Sequence, residues 1–287
     1  MAHSDLRIDT HSFLGEHSVL SDGKDTSGYF ELPQFANTRF FPILIGENQT
    51  DEVIDHIRDN PRFLGCSLIF SPNPNIPYSP NDDIAVMKRT IQNPNVLGLK
   101  FHPPLVDTPL NDPSVFPFYE VASETGLPLL VHCSASGTKY NSAEMTEEVC
   151  SRFPELRLVL AHFGGNNLEY MARAVDITEH FPNLHINTTA IDPHRKKFRV
   201  DAQGDRQRVE VKETREQVLD IFSDAFRRIP LKILFGSDLG FYKPEGIDED
   251  PTAQYLTWPV DALPSEDQQR VFVENSLNLY SRIKALE

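Results

Sequence analysis

Apolar residues along the chain gather in eight short runs of Val, Ile, Leu and Phe, separated by stretches in which they recur every three or four positions. The runs read as strands: Arg7 to Phe13, Arg39 to Gly46, Phe63 to Phe70, Val96 to His102, Leu127 to Cys133, Leu156 to Phe163, Leu184 to Ala190 and Leu231 to Ser237. Near-continuous hydrophobicity, in place of strict alternation, is what a parallel strand buried on both faces requires. The intervening stretches predict amphipathic helices with inward stripes Val53/Ile54/Ile57, Ile84/Met87/Ile91, Met145/Val149/Phe153, Leu168/Met171/Ala172/Val175 and Val218/Leu219/Phe222/Ala225/Phe226. A last helix turns Val271, Phe272 and Leu279 inward and opens on Ser265-Glu266-Asp267-Gln268, the form of a capping box. Residues Gly28 to Asn37 contain Pro33 and leave strand one only a short partner helix, while Ser71 to Asp83, dense in Pro and Asn, reads as a loop.

Strand and helix alternate without a composition break, and eight strands are the number at which a parallel α/β sheet closes on itself. The expected fold is a single (β/α)8 TIM barrel spanning residues 1–287, with the polar, Arg- and Lys-rich segment Asp192 to Val211 as an insertion after strand seven. The length of 287 residues suits one such barrel of about 250 residues with modest additions.

A formal net charge of -15 repels phosphate backbones and argues against a nucleic-acid partner. No run approaches the roughly 18 apolar residues needed to cross a bilayer, and the N-terminus has no apolar signal segment. Cys66, Cys133 and Cys150 lack paired spacing, which suits reduced packing residues in the cytoplasm. These features predict a soluble cytoplasmic protein acting on a small molecule.

The chemistry lies at the strand ends. In a parallel barrel the strand C-termini converge on one mouth, so residues distant in sequence become neighbours there. His11 falls in strand one, His102 ends strand four, His132 closes strand five, His162 strand six, and Asp238 follows strand eight. Alternation places Asp9, His11 and Phe13 on one face of strand one, and Gly98, Lys100 and His102 on one face of strand four. Imidazole and carboxylate suit zinc and similar divalent ions, and a catalytic zinc takes about three protein ligands with one position open for water. His11, His132 and Asp238 supply the three, leaving His162 to hold or deprotonate the water. Of the other six histidines, His3, His17, His56, His180 and His185 read as surface residues in loops or on helix margins, and His194 opens the basic run His194-Arg195-Lys196-Lys197.

The strand-one Asp-x-His, GLKFHP, PLLVH, LVLAHFGG, NTT and ILFGSD, closed by ENSLNLY, occur in this order from Asp9 to Tyr280. Together they resemble the amidohydrolase-related family of the metal-dependent hydrolase superfamily, which includes decarboxylases similar to aminocarboxymuconate semialdehyde decarboxylase, lactonases and other hydrolases. The resemblance implies metal ligation by His11, His132 and Asp238, with His162 as a base beside the metal. Its strand-one His-x-His is broken here, because Phe13 stands where the second histidine is expected. That departure leaves three outcomes open: a weakened metal, recruitment of Asp9, or a site that works without metal. The Lys-x-His of strand four implies a substrate-facing Lys100 and His102, with a buried ion pair as the other reading of Lys100. Arg195, Lys197 or Arg199 in the insertion would grip an anionic substrate if that segment is a lid, and would be solvated if it is not. Since relatives are often dimers, the resemblance leaves a homodimer open.

The expected function is a hydrolase with one divalent ion, zinc foremost, cleaving a small cyclic or anionic amide or lactone with metal-bound water as the nucleophile. His162 and Asp238 are its expected catalytic residues, and Lys100, His102 and Arg195 its substrate contacts. Non-oxidative decarboxylation of a small unsaturated or aromatic acid is the alternative, and a metal-depleted binding barrel or metal-free catalyst a third.

Overall fold

A computed structural model describes residues 6–14, 30–45, 49–72, 84–133, 139–165, 167–192, 197–200, 206–209, 213–240 and 254–283. Parallel strands carry the architecture. Strand one is interrupted, running as β1 (Arg7–Asp9) and β2 (Phe13–Leu14) around residues 10–12. Strand two is likewise split into β3 (Thr38–Phe40) and β4 (Ile43–Leu44), with Pro42, which has no N–H to donate, at the break. There follow β5 (Cys66–Phe70), β6 (Val96–Phe101), β7 (Leu129–Val131), β8 (Leu158–Leu160), β9 (Leu184–Asn187) and β12 (Ile233–Leu234).

The sheet order is β12-β9-β8-β7-β6-β5-β4-β2, every pairing parallel. Strand one then meets strand eight. Thr10 N–H donates to the Phe235 carbonyl at 3.1 Å, Phe13 N–H to the Leu239 carbonyl at 2.7 Å, and Ser12 bridges Leu239 in parallel. These bonds close the ring of eight that the hydrophobic runs predict. Each predicted strand overlaps an observed one, most of them shorter than predicted, although strand one runs on to Leu14 and strand two begins at Thr38.

The helices are α1 (Asp51–His56), α2 (Ile84–Thr90), α3 (Phe116–Thr125), α4 (Ala143–Arg152), α5 (Leu168–His180) and α6 (Arg215–Arg228), followed by α7 (Gln254–Asp261), α8 (Ser265–Gln269) and α9 (Asn275–Leu279). Their stripes bury Ile54, Met87, Val149, Met171, Val175, Val218 and Phe222 against the strands. On α5 the buried alanine is Ala174, whereas Ala172, expected inward, is exposed. Among the described residues, the segment before strand two supplies short 3-10 turns, one of them Pro33–Phe35, as its proline suggests.

The last helix differs from expectation at its start. Ser265 is its first helical residue and Pro264 the cap, with no side-chain cap bond, so the predicted Ser265 capping box does not form. The reciprocal capping box sits instead on α6, where Thr214 and Gln217 satisfy each other's main-chain N–H groups. Between α8 and α9 the helix widens to a π turn, Arg270–Glu274. Asn275 just beyond it donates to the Pro230 and Ile233 carbonyls at 2.9 and 2.8 Å, tying the ENSLNLY helix to strand eight.

Within the expected insertion, the backbones of β10 (Lys197–Val200) and β11 (Arg206–Val209) pair as an antiparallel ribbon. Arg195 lies outside the described residues. The three cysteines are buried free thiols, as read from their spacing. No helix among the described residues is long and apolar enough to cross a membrane.

Candidate active site

Backbone kinks at the strand ends aim the functional side chains. His162 and Phe163 follow β8 at φ of 54° and 53°, Ala190 follows β9 at 55°, and Asp238 follows β12 at 65°. These four are left-handed conformations that residues with a Cβ adopt at a cost, and such strain gathers at functional sites. The glycines beside them explain two motifs. A Cβ on Gly164, at φ 83°, would lie 2.3 Å from Ala174 Cβ on α5, so the turn of LAHFGG requires glycine. A Cβ on Gly236 would lie 2.5 Å from Asn187 Nδ2 and 2.8 Å from His11 Cβ, so the glycine of FGSD lets strands one, seven and eight converge.

His11, His162 and Asp238 are all buried and offer ligand atoms that lie within 4.8 Å of one another. His11 Nε2 is 3.5 Å from Asp238 Oδ1, and the Asp238 N–H donates to the His11 carbonyl at 2.6 Å, locking strand eight over strand one. His132 stands one step away, its Nδ1 3.1 Å from His162 Nε2, and its ring stacks on His102 with centroids 3.8 Å apart. Four of the expected imidazoles and the aspartate thus share one site. The close donor set contains His162 where the sequence suggested His132.

Thr189, on the strand-seven NTT motif, holds both inner imidazoles. Its Oγ1 lies 3.0 Å from His11 Nδ1 and accepts from the His162 N–H at 3.0 Å, while its carbonyl is 3.3 Å from His162 Nδ1. Asn187 Oδ1 in turn accepts from the Thr189 hydroxyl at 2.6 Å and the Thr189 N–H at 2.9 Å. Neither residue was assigned a role from sequence. Their signal was the NTT motif at the polar end of an otherwise apolar strand.

Asp9 lies outside the close donor set. Its carboxylate accepts from the His11 N–H at 2.9 Å, the Ser237 N–H at 3.1 Å and the Ser237 hydroxyl, so strand one bends away from the alternation expected of Asp9, His11 and Phe13. Burial pushes the Asp9 carboxyl up to about 7, against the pull of the Ser237 hydrogen bond. Phe13 packs its ring 5.4 Å from that of His11 and offers no ligand atom.

Lys100 is fully buried in β6 and projects to the same centre, with Nζ 3.1 Å from His11 Nε2 and 5.9 Å from the Phe13 ring centroid. Burial pulls its ammonium down to about 7, opposed by the charge of Asp238. Burial also holds His11, His102 and His132 well below the ordinary imidazole range; the Lys100 charge is the next cause for His11 and His102, and His102 itself for His132. Neutral imidazoles with committed N–H groups are what metal ligation needs. Two imidazole nitrogens and a carboxylate fit a divalent ion.

His56 and His180 sit exposed at helix C-termini, as expected. His185 does not: it lies in β9 and is partly buried, its Nδ1 without a partner, because the strand carries it beneath the helices. His3 and His17 lie outside the described residues.

A family model described as Amidohydrolase matches residues 42–282. No curated protein matches. Among solved structures, an uncharacterized TIM-barrel protein from Bordetella bronchiseptica aligns at TM-score 0.67 and 14% identity, covering 96% of this chain and 99% of its own. A putative 2-pyrone-4,6-dicarboxylic acid hydrolase from Pseudomonas putida aligns at 0.64 and 12%, covering 99% of each chain. A 5-carboxyvanillate decarboxylase from Sphingomonas paucimobilis aligns at 0.59 and 13%, covering 98% of this chain and 100% of its own. At these identities the likeness establishes the barrel fold.

Proposed function

Because this chain belongs to the amidohydrolase family, we propose that it hydrolyses a small, anionic, cyclic ester or amide at the mouth of the barrel. The observation that carries the reading is the donor set itself: His11, His162 and Asp238 within 4.8 Å, both imidazoles anchored through Nδ1 to Thr189. These three residues would hold one divalent ion, zinc being well suited to nitrogen and carboxylate donors. Such an ion supplies Lewis acidity, polarising a carbonyl and making water a stronger acid.

The chain's own residues do the rest. Asp238 is placed to take a proton from the attacking water and return it to the leaving group. His132, whose Nδ1 lies 3.1 Å from His162 Nε2, orients the reactants from the other side. Lys100 and the stacked His102 face the same centre, where an ammonium supplies a point charge for a substrate carboxylate. The solved neighbour named for 2-pyrone-4,6-dicarboxylic acid is consistent with an anionic cyclic substrate.

The test begins with elemental analysis of protein purified without chelator, where about one ion per chain is expected, lost in the double variant His11→Ala, Asp238→Ala. Turnover of lactone and cyclic amide carboxylates in labelled water should then place the label in the product. Carbon dioxide release without label would replace this reading with the decarboxylase one. Background metal in well-folded protein would point to a metal-free barrel.

A further inference from the structure

We infer that Lys100 is a built-in rival for the divalent ion: its ammonium occupies the lone pair through which His11 would ligate, so ion and lysine contend for one nitrogen. This rests on the metal reading above and adds a regulation of that site.

A chain of hydrogen bonds fixes the tautomer of His11. The Thr10 hydroxyl donates to the Phe235 carbonyl at 2.7 Å, so it accepts from Asn187 Nδ2, also at 2.7 Å. The Asn187 amide is thereby oriented with Oδ1 toward Thr189, where it accepts from the Thr189 N–H and hydroxyl. With its only proton committed to Asn187, Thr189 Oγ1 can only accept from its other neighbours, the His162 N–H and His11 Nδ1. His11 therefore carries its proton on Nδ1, and the single in-plane lone pair of the neutral ring is on Nε2. That lone pair meets Lys100 Nζ at 3.1 Å, and among the described residues this is the one hydrogen bond Nζ makes.

An imidazole nitrogen has one lone pair. It can accept from the ammonium or bind a cation, and two cations at that separation also repel. Loading the ion must release Lys100, which stays inside the mouth because its backbone is fixed in β6. Metal uptake and presentation of a free ammonium to the substrate are then one event. Without the ion, Lys100 stays on His11 Nε2, which also lies 3.5 Å from Asp238 Oδ1.

The test is zinc affinity, measured by competition with a chromophoric chelator on metal-stripped wild type, Lys100→Met and Lys100→Arg. Methionine keeps the apolar stem and removes the charge. It should bind zinc about tenfold or more tighter than wild type, whereas arginine should not. Equal or weaker binding by Lys100→Met, with wild type binding zinc, overturns the inference and leaves the proposed function standing. Zinc taken up by neither protein refutes the metal site and the inference together. Wild type supplies a second readout that needs no variant: modification of Lys100 by an amine-reactive reagent, mapped by peptide mass, should run several-fold faster with zinc than without. An unchanged rate would refute the displacement.

Discussion

Thr189→Val tests whether one hydroxyl positions the site. Valine preserves the β-branched shape and removes Oγ1, which donates to Asn187 Oδ1 at 2.6 Å and accepts the His162 N–H and His11 Nδ1 at 3.0 Å each. Asn187 Oδ1 keeps the Thr189 N–H at 2.9 Å and stays satisfied. The two donors lose an acceptor inside a buried site, at about 1–3 kcal/mol apiece. Since the Asn187 side chain also acts on His11 by hydrogen bonding, the expected loss is roughly 2–4 kcal/mol. An unfolding entropy of about 2.1 cal/mol/K per residue, applied to the 287-residue chain, converts this to a fall in Tm of about 3–7 °C. Differential scanning calorimetry of wild type, Thr189→Val and Thr189→Ser measures it, with serine expected to recover most of the loss. Zinc affinity should fall about 10–100-fold in the valine variant, because the N–H that orients a ligand's ring no longer has its acceptor. A valine variant within about 1 °C of wild type, binding zinc equally well, would refute the claim that Thr189 sets the imidazoles.

Other expectations concern the frame around the site. Burial, reinforced by the Lys232 charge, lowers the His185 imidazole from 6.5 to about 4. The fold thus favours neutral His185, and its contribution is complete above pH 6.5 and drains away as pH falls toward 4. The shift caps that contribution at about 3 kcal/mol, and the partial exposure of the ring reduces it; urea midpoints of His185→Gln should fall less steeply with acid than those of wild type, and parallel curves would contradict this. Gly164→Ala should lose about 2–4 kcal/mol in denaturant unfolding, since the new methyl meets Ala174 at a left-handed φ; near-wild-type stability would mean the turn relaxes freely. Thr214→Ala should cost about 1 kcal/mol by removing the α6 capping box, while Ser265→Ala should change little, and equal effects in calorimetry would contradict the caps assigned.

The linear pattern determined the barrel. A parallel strand buried on both faces must be apolar along its length, and a helix packed over it must be apolar every three or four residues, so eight strands and their helices were legible before any coordinates. The strand-end rule also located the site: His11, His102, His132, His162 and Asp238 were nameable because each ends or follows an apolar run. What the tertiary structure decided are the relations among them. Whether His132 or His162 approaches His11 and Asp238 depends on left-handed turns after β8 and β12, which periodicity does not encode. Asp9 alternates with His11 in the sequence, yet the bend of strand one turns its carboxylate to Ser237. The tautomer of His11 and its contest with Lys100 arise from hydrogen bonds linking residues 10, 11, 100, 187, 189 and 235. Periodicity reports which face of an element is buried; the partner of each polar atom is settled only when separate strands close into one ring.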